Sequence, residues 1–172
     1  MKKYIKPIVC TIVVIALAVW IVDKIPFTQK IDQTIEATVY KDGVMIDETP
    51  VYMKGKKNRY LFRPNSFVGE FRISYAEKTD VEDLQTKISW HKDDNLQSIS
   101  HFYKGNFSTS DERGIAYYLL ISKDMKEFAL MTTEQEVIAT SKEACKLYTD
   151  HISYDGNGHM TVRGVEEIPE LR

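Results

Sequence analysis

Hydrophobic and polar positions divide the chain into two regimes. From Ile8 to Val22 the side chains are apolar apart from Cys10 and Thr11, with no polar stripe of the kind that marks a helix lying on a core. As a helix this run is about 22 Å long at about 1.5 Å per residue, against about 30 Å of bilayer hydrocarbon. Lys6 and Lys24 can extend its reach, because a lysine stem lies in an apolar phase while its ammonium stays wet. Tyr4 and Trp20 stand where interfacial aromatics are placed.

These features predict a retained signal anchor, with a transmembrane helix over about residues 8–22 and residues 1–27 as its segment of the chain. Two other readings compete. A cleaved signal peptide would be cut at Ala16-Leu17-Ala18, the one small-x-small match, but the apolar run continues past it. A buried soluble helix is the other. Lys2, Lys3 and Lys6 precede the run, so the N-terminus is expected in the cytoplasm and residues 28–172 outside the cell membrane.

Beyond Phe27 the pattern alternates. Ile35, Ala37 and Val39, then Asp42-Gly43, then Val44 and Ile46 predict a tight hairpin. Val51 and Met53 extend it as a separate piece ending at Gly55. Phe67, Gly69, Phe71, Ile73 and Tyr75 fall on one face of a further strand. Two more hairpins are expected, one around Asp93-Asp94-Asn95 and one joining "IAYYLLIS" to "EFALMTT". The apolar continuity from Tyr117 to Ile121 predicts that this last pair is covered on both faces. Thr140-Ser141-Lys142-Glu143 has capping-box form, and Ala144, Leu147 and Tyr148 follow at helical spacing. A final strand is expected from Met160 to Val165. The fold predicted is mainly β with one late helix, an antiparallel β-sandwich or partly open barrel behind the N-terminal transmembrane helix.

Composition narrows the partners. The first 27 residues hold four lysines and one aspartate, leaving 19 basic and 24 acidic residues in a domain of net charge −5. That balance argues against nucleic acid as a ligand. Cys145 is the only cysteine outside the apolar run, so no internal disulfide can staple the domain.

Candidate chemistry is sparse. His91, His101, His151 and His159 are the only histidines and none has metal-ligand spacing, although His91 and His101 could face each other across a hairpin. Asp155, Asn157 and Glu166 match the first, third and twelfth positions of a calcium loop, but Met160 stands where that loop needs glycine. No Gly-x-Ser-x-Gly elbow or glycine-rich phosphate cradle occurs, and Cys145 on a helix face reads as a packed thiol. Tyr52, Tyr60, Phe62, Tyr103, Phe107, Tyr117 and Tyr118 could form an exposed row for glycan or peptide, or simply be core.

A short basic tail, an apolar run and a small disulfide-free β-rich domain resemble uncharacterised signal-anchored envelope proteins of Gram-positive bacteria. The resemblance is one of architecture and brings no activity. No catalytic residue, cofactor or metal is assigned. The reading is a membrane-anchored extracytoplasmic domain with a binding or structural role toward an envelope protein or glycan. The alternatives are an envelope hydrolase whose acids meet only in three dimensions and a small membrane-associated sensor.

Overall fold

The computed structural model describes residues 2–91, 96–154, 159–164 and 168–171. The alternating regime becomes strands. β1 (Phe27–Lys41) and β2 (Val44–Arg59) form one long hairpin, turned at Asp42-Gly43 with φ of 51° and 75°. β3 (Ser66–Ile73), β4 (Gln85–Trp90) and β5 (Leu96–Tyr103) follow, with β6 (Asn106–Ser108) folded back on β5. β7 (Ile115–Ile121), β8 (Phe128–Thr132) and β9 (Val137–Ala139) complete the main sheet.

The sheet order is β4-β3-β2-β1-β9-β8-β7-β5, and β4 also pairs with β5. Eight strands therefore close into an antiparallel barrel. Neither the sandwich nor the partly open barrel is formed, because each of these strands has a neighbour on both sides and two stacked sheets would leave four edges. Closure between β1 and β9 rests on three residue pairs, Thr38 with Ala139, Val39 with Ile138 and Tyr40 with Val137. A bulge between Val39 and Tyr40 shifts the β1–β2 register and bends the hairpin at this point.

The segment starting at Pro50 is part of β2 rather than a separate strand. Pairing with β3 begins at Val51, so Pro50 stands where its missing N–H interrupts no ladder on that side. Gly55 does not end the strand either: it lies opposite Gly69 of β3.

Inward positions are filled with side chains. Val51, Met53, Phe67, Phe71, Ile88, Ile99, Leu119, Phe128, Leu130 and Ile138 form one buried cluster, so the barrel is a packed core rather than a cup. Its outer surface over β7, β8 and β9 is covered by α2 (Lys142–His151), whose Ala144, Cys145 and Tyr148 join Leu120, Ala129 and Met131 in a second cluster. Every residue of β8 is buried, as expected for a strand with core on both faces. In β7, where the apolar continuity lies, Tyr117 is 45% exposed and Tyr118 half-buried, so the expected cover holds there only from Leu119 to Ile121. The Tyr148 hydroxyl donates to the Tyr118 carbonyl at 2.9 Å.

The helix starts one residue later than the capping box predicts. Ser141 is the N-cap, accepting from the Ala144 amide at 3.1 Å, while the Thr140 hydroxyl accepts from the Phe128 amide at 3.0 Å and so stays with the barrel. Replacing Ser141 by alanine is expected to cost about 1 kcal/mol, measured by urea denaturation, whereas alanine at exposed Lys142 leaves the midpoint unchanged. The last predicted strand is shorter than expected and outside the barrel, since β11 (Met160–Val162) pairs with β10 (Ile152–Tyr154) in a sheet of their own.

The apolar run forms helix α1 (Lys2–Lys24), and here the sequence reading is corrected. Among the described residues no helix is long and apolar enough to cross a membrane. The apolar part of it, Ile8 to Val22, is about 22 Å long at about 1.5 Å per residue, well short of about 30 Å. Lys24 does not lengthen it, because its ammonium folds back over the Trp20 ring at 5.3 Å. Asp23 is held by Arg63 of the β2–β3 loop at 3.1 Å, which ties this end of the helix to the barrel. The single-pass anchor, the cell-membrane location and the topology drawn from them are therefore not supported. A buried helix is not formed either, as Val14 and Trp20 on different sides of α1 are 64% and 61% exposed.

Candidate functional site

Two charged residues are buried among the described ones, Lys57 and Glu136, and they mark opposite mouths of the barrel. Their positions follow from strand periodicity, which returns every second side chain to the same face. On β2 the inward series Val51, Met53, Gly55 ends at Lys57. On β9 the core residue Ile138 is preceded two places earlier by Glu136.

The Glu136 mouth is electrostatically closed. Lys41 donates to Glu136 Oε1 at 3.1 Å and the Tyr75 hydroxyl to Oε2 at 2.8 Å, so both carboxylate oxygens are occupied. That hydrogen bond, followed by burial, pushes the Tyr75 phenol up to about 12. A cleft of about 330 Å³ beside it also contains Glu77, Glu134 and Arg113. Glu77 and Glu134 are exposed. The one buried carboxylate among the described residues is thus a clamp that joins β1 and the end of β3 to the residue before β9.

The Lys57 mouth is open in the same sense. The Lys57 ammonium donates to the Lys123 carbonyl and lies 4.8 Å from the centroid of the Trp90 ring, a cation–π contact. It has no salt bridge among the described residues. Burial, then the Arg59 charge, draws its pKa below the usual 10.5, with Asp124 opposing. Trp90 ends the inward series Thr86, Ile88, Trp90 on β4, and its indole N–H is buried without a partner. On β5 the series begins with Gln97, whose Oε1 accepts from the Ile121 amide at 2.9 Å. Asn65 Oδ1 accepts from the Tyr60 amide at 3.1 Å and shapes the β2–β3 loop. These residues line a cleft of about 330 Å³ that also contains Arg63, His91, Lys123 and Glu170.

The residues singled out by sequence go elsewhere. His91 and His101 do not face each other, because the β4–β5 register pairs Thr86 with His101 and Trp90 with Gln97, placing the two rings at opposite mouths. His101 is fully buried, with Nδ1 3.1 Å from the Thr86 hydroxyl and Nε2 unpartnered. Burial, then Arg113, pushes it down to about 4, so it is neutral at pH 7. His151 Nδ1 lies 3.0 Å from the Arg163 carbonyl, and His159 is exposed. Asp155, Asn157 and Glu166 of the calcium-loop match lie outside the described residues. No group of three His, Cys, Asp or Glu able to hold a metal occurs among the described residues. Cys145 is a buried thiol raised by that burial.

The aromatics do not form one row. Tyr52 stacks with Arg72, Phe107 packs edge-on against Phe102 and Tyr117 against Tyr118, each on a different part of the surface. Of the seven named from sequence, only Tyr60 lines the Lys57 cleft. Lys57 itself was not flagged by sequence. The signal existed, because continuing the alternation two residues past Gly55 puts a cation in a core register.

No family model, curated protein or solved structure matches this chain.

Proposed function

We propose that the chain is a non-enzymatic binding module that holds an anionic group of its ligand, a carboxylate or phosphate, at the Lys57 mouth of the barrel. The observation that carries this reading is a buried lysine with no ion pair among the described residues. Burying a charge is unfavourable unless a partner compensates. At Glu136 the chain supplies that partner; Lys57 has no such partner among the described residues, and an anionic group of a ligand would supply it. The unpartnered Trp90 N–H is a second donor lacking an acceptor, whereas the neighbouring Lys123 and Arg63 are already paired with Glu170 and Asp23, which leaves Lys57 as the cation for the ligand. Because the barrel is filled, the ligand sits at the mouth and not in the interior.

The test uses a Trp20→Phe background, in which Trp90 is the one remaining tryptophan. Titration with inorganic phosphate or acetate is expected to change Trp90 emission saturably. Lys57→Met abolishes that change while altering stability by no more than about 1 kcal/mol, because an apolar side chain of similar length continues the inward register. An unaltered titration in Lys57→Met would overturn the assignment. The pH dependence has opposite signs for the two readouts. Between the lowered Lys57 pKa and 10.5 the unfolded chain binds more protons, so stability rises with pH. Anion affinity falls over the same window as the ammonium deprotonates.

A further inference from the structure

The Lys57 cleft already has an occupant on one wall. Ile168 is buried in the cluster beneath α2, and the next three residues, Pro169, Glu170 and Leu171, line the cleft. Leu171 packs against the same cluster, and Glu170 Oε1 contacts Lys123 Nζ at 2.5 Å. A glutamate set between apolar side chains is therefore what this surface receives from its own chain. Resting on the anion-binding reading, we infer that the ligand of the cleft is an extended acidic peptide, and that the C-terminal segment competes with it by occupying the Lys123 side.

The geometry distinguishes a tethered competitor from a permanent part of the wall. Ile168 is 3% exposed and fixes the segment to the barrel. Glu170 and Lys123 are 46% and 70% exposed at their side chains, and a pair so wet contributes little to stability. The glutamate can leave Lys123 without unseating Ile168. Deeper in the cleft the Lys57 ammonium has no carboxylate partner among the described residues, and its hydrogen bond goes to the Lys123 carbonyl. An incoming peptide with two acidic residues could meet both cations, whereas Glu170, the described acid of the chain's own segment, meets Lys123 alone. Apolar residues beside those acids would lie against the exposed Leu61 side chain on the cleft wall.

The experiment keeps the full chain, again with Trp20→Phe. A synthetic peptide of the sequence Val165 to Arg172, VEEIPELR, is titrated into the chain with Glu170 intact and into Glu170→Ala, with Trp90 emission as readout. The Glu170→Ala chain is expected to bind about threefold more tightly, the scale of one exposed ion pair removed from competition. A peptide with all three glutamates replaced by glutamine is expected not to bind, and Lys57→Met is expected to weaken binding of the acidic one. Equal affinity for the two chains would overturn the competition. Failure of the acidic peptide to bind while phosphate still shifts Trp90 through Lys57 would overturn the peptide class and leave the anion site standing. Loss of both responses would overturn the site itself.

Discussion

Replacing Phe71 by alanine is expected to destabilise the protein by about 3–5 kcal/mol, the range for truncating a buried phenylalanine. The ring is fully buried and meets Phe128 edge-on, with centroids 5.8 Å apart and planes at 77°. That contact joins β3 to β8, two strands that share no ladder, so its loss leaves a void in the middle of the barrel. Denaturant unfolding of the purified variant measures it. A change below about 1 kcal/mol would mean that neighbouring side chains collapse into the space, contrary to the close packing of a filled barrel.

A larger loss is expected from Gly55→Val, for which folded protein should not accumulate. Gly55 and Gly69 face each other across β2 and β3. A Cβ on Gly55 would lie 2.4 Å from the Val68 carbonyl oxygen and 2.7 Å from the Gly69 Cα, and one on Gly69 would lie 2.3 Å from the Lys54 carbonyl oxygen. Those are backbone atoms, which cannot rotate away. Overpacking of mobile side chains costs about 1–3 kcal/mol; here two strands would have to part at their closest approach. Gly43→Ala is the control, since its Cβ meets nothing within 4 Å and its φ of 75° leaves only the left-handed penalty of about 1–2 kcal/mol. Circular dichroism and soluble yield separate the two outcomes, and equal behaviour of the variants would show that the glycine pair is not needed for the approach.

The difference between these glycines was only half legible in the sequence. Asp42-Gly43 is a local turn signal, so it could be read from two residues. Gly55 looked like a strand end, because its actual role depends on Gly69, fourteen positions on and visible only when β2 and β3 are paired. The inward face of β3 was readable from Phe67 to Ile73 because alternation there is unbroken. β9 was not, since three residues are too few for a period to declare itself, and with β9 unread there was no way to see the sheet close. The same limit hid the site. Lys57 is an ordinary lysine in composition and becomes unusual only by standing at the end of an inward series. The apolar run misled for the converse reason: its composition resembled a span, while the Lys24 fold-back and the Asp23–Arg63 contact are tertiary facts.

The three residue pairs between β1 and β9 bear on how this barrel breathes. Among the described residues β1 is paired with β2 along its whole length but with β9 only at Thr38–Tyr40, so the circle is fastened by a clasp rather than a seam. Opening that clasp gives up few ladder hydrogen bonds and leaves the β2–β3–β4 ladders intact, so β1 to β4 would move together as one arm, the kind of sub-global opening that costs less than unfolding. The exposed stretch of β1 beyond the clasp carries Lys30, Asp32 and Glu36. Charges on an open strand edge discourage pairing with a stray strand, so the molecule can open at its weakest point without inviting aggregation there.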